Sequence, residues 1–147
     1  MPSNLAWPSQ RYASMLWFLL ALFFLRVLGQ LLVAIFAPHY LPPMEEWYSG
    51  LIPYSILFPV QLLILVVMLK VSADFSRGQG FFVVQRKAMG RCLIWISTLY
   101  FTSMVLRYGI TMALHPERRW FGGTIPIWFH FVLAGFVYAV GHFHYRR

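Results

Sequence analysis

The chain has 147 residues, 60% of them hydrophobic and only 11% charged. A domain of this length cannot bury so large an apolar share away from water, so part of its solvent is lipid; a soluble globular domain, a disordered chain and a collagen-like one are excluded. The net charge of +8 arises from 12 Lys and Arg against 4 Asp and Glu. Because the bases flank apolar runs, they point to a membrane surface rather than to nucleic acid. The one cysteine, Cys92, rules out an intrachain disulfide framework and a Cys-based zinc site.

A bilayer span needs about 20 apolar residues. Four runs are long enough, at residues 12–36, 51–71, 89–114 and 125–143. They predict an all-α integral membrane protein, an antiparallel bundle of four transmembrane helices forming one domain over residues 1–147. The first run is too long for the apolar core of a signal peptide and carries Arg26 within it, so it reads as an uncleaved anchor.

The connections differ in chemistry. Residues 37–50 hold Pro38, Pro42 and Pro43, then Glu45 and Glu46, with Trp47 and Tyr48 suited to a membrane interface. Residues 72–88 form a basic loop in which Gly78 and Gly80 predict a flexible middle and Phe81–Val84 a short piece lying on the membrane surface. The third connection, 115–123, carries Glu117, Arg118 and Arg119; Thr124 is placed to cap the last helix, with Pro126 in its first turn.

Orientation follows from Lys and Arg alone. Arg11, Lys70, Arg77, Arg86, Lys87, Arg91, Arg146 and Arg147 fall on one side, Arg118 and Arg119 on the other. This asymmetry predicts both termini and the basic loop in the cytoplasm, in a bacterial inner membrane. Lys70, Arg77, Arg86, Lys87 and Arg91 then form a surface for anionic lipid headgroups or an acidic partner.

An ionisable group inside a span marks a functional site by default, since it costs about 2.5 kcal/mol or more at the centre. Counting residues at a rise of about 1.5 Å puts Arg26, Gln30, Arg107 and His130 within roughly 10 Å of the midplane, all in the outer half. Tyr100, Ser103, Arg107 and Thr111 recur at helical spacing and share a face, which should point into the bundle. Gln61, near the middle of the second run and two residues past Pro59, is placed to join them. Arg26, Gln30, Gln61, Tyr100, Arg107 and His130 are therefore the candidate ligand-binding residues. The blander reading has the arginines snorkel to lipid phosphates, the glutamines join helices and His130 bond a neighbouring helix. The four runs contain no carboxylate, so acceptors for the guanidinium groups must come from Glu45, Glu46 or Glu117, from backbone carbonyls, or from a ligand.

His142-x-His144 chelates a metal only if the helix frays, so interfacial solvation is the simpler role for this pair, and no metal site is expected. Gly135-x-x-x-Ala139 is a small-residue pair that can mark close helix contact. Phosphate-loop, nucleophile-elbow and zinc-protease motifs are absent. The reading is a non-catalytic membrane protein, an accessory, assembly or interaction subunit that meets other membrane proteins. The alternative is a binder of a quinone, a haem or an isoprenoid lipid at the Arg/Gln/His cluster. A small transporter or channel built as an oligomer is the second alternative.

Overall fold

The computed structural model describes residues 6–41, 53–114 and 125–146, with side chains described from Ser9 in the first segment and from Trp128 in the last. Four helices account for most of them: α1 (Ala6–Phe36), α2 (Tyr54–Arg77), α3 (Lys87–Leu114) and α4 (Ile125–Tyr145). The first three are long and apolar enough to cross a membrane; α4 is the shortest, at 21 residues. Their outward faces are apolar, with Leu63 64% exposed on α2 and Trp95 and Leu99 each 63% exposed on α3. Such continuous apolar exposure suits acyl chains and not water, and the chain is membrane-associated. The expectations for residues 42–52 and 115–124, including Glu45, Glu46, Trp47, Tyr48, Glu117, Arg118, Arg119 and the Thr124 cap, lie outside the described residues.

The helix backbones meet in three pairs: α1 with α2, α1 with α4, and α4 with α3. Among the described residues α2 and α3 do not meet, so the order across the molecule is α2, α1, α4, α3. Each contacting pair is antiparallel. Trp17 bonds Ser76 while Gln30 bonds Gln61 across α1 and α2. Tyr12 reaches His142 and Arg26 reaches Phe129 across α1 and α4. Gly90 abuts Tyr145 and Tyr100 bonds His130 across α3 and α4.

The seam of α1 explains its central place. Ser9, Ala13, Leu16, Leu20, Phe23, Val27 and Gln30 are all buried, at alternating steps of four and three residues. That spacing keeps one narrow stripe turned toward neighbouring helices along the whole span. Its middle packs into the core with Phe75 of α2 and Phe143 of α4, whose rings meet edge to face at 4.7 Å.

Packing is close at the end near residues 78–86. A Cβ on Gly90 would fall 2.6 Å from Tyr145 N, and one on Gly141 would fall 3.0 Å from Ile94 N, so α3 and α4 approach backbone to backbone there. Gly135 of the Gly135-x-x-x-Ala139 pair has only Leu19 nearby, at 3.9 Å. The close small-residue contact therefore lies at Gly141, six residues past Gly135 and two past Ala139.

The connection itself is shorter than the expected 72–88. α2 runs on to Arg77 and ends at Gly78, whose left-handed φ of 65° lets the Gly78 and Gln79 amides return to the carbonyls of Phe75 and Asp74. Asp74 thus belongs to the helix and is buried, with Lys70 Nζ at 2.6 Å from its Oδ1. Gly80, at φ +125°, lies against that carboxylate so closely that a Cβ would overlap it. Val83 is buried in the core, and the connection is tied to the end of α4 by Gln85 Nε2 donating to Phe143 O and by the Arg86 amide donating to His144 Nδ1. Phe81 and Val84 remain exposed. The segment is a folded clamp with two outward apolar side chains.

Candidate functional site

At the end of the bundle away from this clamp, polar side chains from all four helices gather at one level. Arg26 of α1 is 7% exposed, and its Cζ lies 5.7 Å from the ring centroid of Phe129 on α4. Tyr54, the first residue of α2, and Tyr100 of α3 are both within electrostatic range of its guanidinium. Tyr100 Oη and His130 Nδ1 share a hydrogen bond, their rings edge to face at 5.5 Å. The imidazole accepts at Nδ1 if it carries its proton on Nε2, and donates to the phenol oxygen in the other tautomer. Arg107, two turns beyond Tyr100 on α3, is half-buried and within electrostatic range of both Tyr100 and His130.

One turn past Arg26, Gln30 is fully buried and accepts from Gln61 Nε2 at 3.0 Å. This bond uses one donor and one acceptor. Gln30 Nε2 and Gln61 Oε1 stay buried with no hydrogen-bond partner among the described residues. The third-run stripe is not uniform: Tyr100, Arg107 and Thr111 are half-buried, whereas Ser103 is exposed and donates to the Leu99 carbonyl of its own helix at 2.7 Å. Tyr54 and Phe129 belong to the cluster although no sequence argument singled them out. Tyr54 was legible in principle, because counting back from Gln61 places it at the level of the arginines.

The five basic residues expected at the surface all sit at the opposite end and are exposed: Lys70, Arg77, Arg86, Lys87 and Arg91. Arg86 lies over the Phe81 ring at 4.6 Å, which fixes a charge beside an exposed aromatic face. The His142 and His144 side chains diverge. His142 Nδ1 bonds Tyr12 Oη at 2.7 Å, while His144 is fully buried beneath the clamp. Among the described residues no three His, Cys, Asp or Glu side chains form a metal-binding group.

Two apolar grooves open sideways. One, of about 300 Å³, lies between α3 and α4 and is lined by Ser97, Phe101, Phe131 and Tyr138 among others. The other, of about 440 Å³, lies between α1 and α2 along Trp17, Phe24, Leu65 and Leu69. Both are lined mainly by apolar side chains. No protein family, curated protein or solved structure matches the chain.

Proposed function

We propose that the protein is a non-catalytic four-span membrane protein, with both termini and the 78–86 clamp cytoplasmic, that binds a lipophilic ligand with a polar head in the outer half of the bilayer. The observation that carries this reading is the gathering of Arg26, Tyr100 and His130 from three helices, with Arg107 two turns further along α3. Donors and a cation–π pair at membrane depth fit recognition of an oxygen-rich head. The apolar run 125–143 of α4 covers about 28 Å at helical rise, close to a hydrocarbon core of about 30 Å, which supports its assignment as the fourth span. A quinone or an isoprenoid lipid fits the setting. Haem fits less well, since Tyr100 already engages His130 Nδ1 and the described residues hold no second histidine at that level. Native mass spectrometry of protein extracted in mild detergent tests the reading. A bound lipophilic molecule lost in Arg107→Gln supports it; a ligand-free wild type removes it.

A second reading, an accessory or interaction subunit of a larger membrane complex, is favoured by α3. Thr98, Thr102 and Ser103 are exposed at membrane depth, and Gly109 has open space around it. Hydroxyls and a glycine are what an incoming helix packs against. Co-purification of another membrane protein, abolished by Gly109→Leu, would favour that reading. At the other end, the exposed bases beside Phe81 and Val84 suit an anionic inner leaflet.

A further inference from the structure

The two sideways grooves differ in what stands at their clamp ends. We infer that the α3–α4 groove is a lipid site: it takes an acyl chain of an anionic phospholipid from the leaflet at the clamp end, with the phosphate among Tyr138, His142, Arg91 and Arg146. This site stands apart from the outer cluster and does not depend on a ligand there.

The groove runs along one face of α4. Phe131, Gly135, Tyr138 and His142 follow one another at steps of four, three and four residues, which keeps them on that face. Phe101 of α3 closes one side, its ring 5.0 Å from that of Phe131. The floor is made of small residues, Ser97 and Ala134, each 2% exposed, and Gly135. A Cβ on Gly135 would meet Leu19 of α1 at 3.9 Å and nothing closer, so the groove reaches the α4 backbone. Within a bilayer an apolar groove of about 300 Å³ is filled by acyl chain, since no water is there to fill it. What makes such a groove selective is its polar end.

That end carries uncommitted hydrogen-bonding groups. Tyr138 is 48% exposed, and its ring stacks on His142 at 6.0 Å and 22°. Tyr12 Oη of α1 engages His142 at Nδ1; with that hydroxyl donating, the imidazole proton sits on Nε2 and can be donated to an oxygen. Tyr138 Oη and His142 Nε2 make no hydrogen bond among the described residues. Charge adds to this. Arg91 lies two turns before Thr98, which lines the groove, and Arg146 lies one turn past His142 on the groove face of α4. Their neighbours bring them to one end, since Gly90 abuts the Tyr145 backbone. Both are exposed, and the one Asp or Glu among the described residues, Asp74, is paired with Lys70 on α2. A phosphate at this end meets positive charge that no carboxylate on α3 or α4 offsets.

The α1–α2 groove lacks these features. Trp17 Nε1 at its clamp end already donates to Ser76, and the Lys70 ammonium beside Leu69 already donates to Asp74. That groove accepts a chain without choosing a head.

The experiment compares phosphatidylglycerol with phosphatidylcholine, each titrated into full-length protein in detergent and read by native mass spectrometry, with the melting temperature measured for every variant. Phosphatidylglycerol should bind more tightly, by roughly tenfold or more. Arg91→Gln and Arg146→Gln together should remove that preference and leave phosphatidylcholine binding unchanged. Gly135→Leu should fill the groove and weaken both lipids, while its melting temperature holds or rises because the position is open and leucine favours a helix over glycine. Thr98→Phe obstructs the same groove from an exposed position on α3, and gives the same answer if Gly135→Leu proves unstable. Ala21→Leu in the other groove and Arg107→Gln at the outer cluster should leave both lipids bound. Equal binding of the two lipids by the wild type overturns the phosphate assignment, and binding of neither overturns the site. Undiminished phosphatidylglycerol binding in folded Gly135→Leu and Thr98→Phe puts the lipid on the general basic surface and overturns the groove assignment. Loss of the lipid in Ala21→Leu or in Arg107→Gln moves it to another place on the molecule and overturns the proposal.

Discussion

Gln61 Nε2 donates to Gln30 Oε1 at 3.0 Å, and both side chains are buried between α1 and α2. An amide pair in an otherwise apolar seam fixes the register of two helices, because sliding either by one residue leaves two polar groups facing hydrocarbon. The same pair stands one turn from Arg26, so the register of α2 on α1 also decides where Tyr54 stands relative to the guanidinium.

Removing one member should therefore cost more than removing both. Gln61→Leu should lower stability by roughly 0.5–2 kcal/mol, the range for hydrogen bonds between membrane helices. The double substitution of Gln30 and Gln61 to Leu should recover part of that loss, since no amide is stranded. Thermal unfolding in detergent across the double-mutant cycle reads the coupling directly. Additive losses would show that the bond does not stabilise the seam.

The α3–α4 contact makes a sharper demand. Gly90→Ala places a Cβ 2.6 Å from Tyr145 N and 2.8 Å from His144 C, and backbone atoms cannot turn aside. Separation of the two helix ends should cost about 1–3 kcal/mol, as overpacking does. Gly109 supplies the control. A Cβ there meets nothing within 4 Å, so Gly109→Ala should be neutral or slightly stabilising through helix propensity. Equal melting temperatures for the two variants would contradict the close approach at Gly90.

Helix existence was legible because a membrane span is a matter of length and apolarity, and residue counting aligned depths because helical rise is constant. That arithmetic put Arg107 at the level of His130 and Gln30 outward of Gln61, each off by a turn or two: His130 bonds Tyr100, seven residues before Arg107, and Gln30 bonds Gln61. What it does not contain is lateral order. Nothing in the apolar faces shows that α1 and α4 lie in the middle with α2 and α3 apart, because lipid and a neighbouring helix are equally apolar surroundings. Asp74 was misplaced for a related reason. Its charge and its neighbours Lys70, Ser72 and Arg77 look like a loop, whereas the chain folds Gly80 back over the carboxylate and lets the helix continue. Small-residue spacing was ambiguous in the same way: it marks where close contact is sterically allowed and does not name the partner.

The clamp should respond to acid. His144 lies just beyond the apolar run 125–143 and accepts the Arg86 amide at Nδ1, 3.3 Å away, which requires that nitrogen to be unprotonated. Burial holds its pKa below the ordinary histidine value, against the opposing effect of the Phe82 backbone and with some help from the Arg86 charge. The unfolded chain therefore binds the proton more readily than the folded one. Stability from this group is complete above an unfolded pKa of about 6.5 and is lost as the pH falls through the lower folded value. Hydrogen exchange over residues 80–86, corrected for its intrinsic pH dependence, should speed up between about pH 7.5 and pH 5. His144→Gln should flatten that change. Equal protection at both pH values in the wild type would remove His144 as the pH-sensitive tie.

Topology is the prediction on which the placement of both ends depends. The positive-inside asymmetry predicts Lys70, Arg77, Arg86, Lys87 and Arg91 in the cytoplasm, and the antiparallel pairs extend that prediction to every helix end. The tightly packed end with the clamp is then inner, and the arginine cluster lies toward the outer leaflet. Reporter fusions at Gln79 and at Glu46 should report opposite compartments, with Gln79 cytoplasmic. Neutralising Arg86, Lys87 and Arg91 together should shift part of the population to the inverted orientation, because each base near the surface contributes about 1 kcal/mol with an anionic leaflet. The two fusions reporting the same side would mean that one of the first two runs does not cross. Gln79 reporting the external side would invert the molecule and place Arg26 and the Tyr100–His130 pair at the inner leaflet.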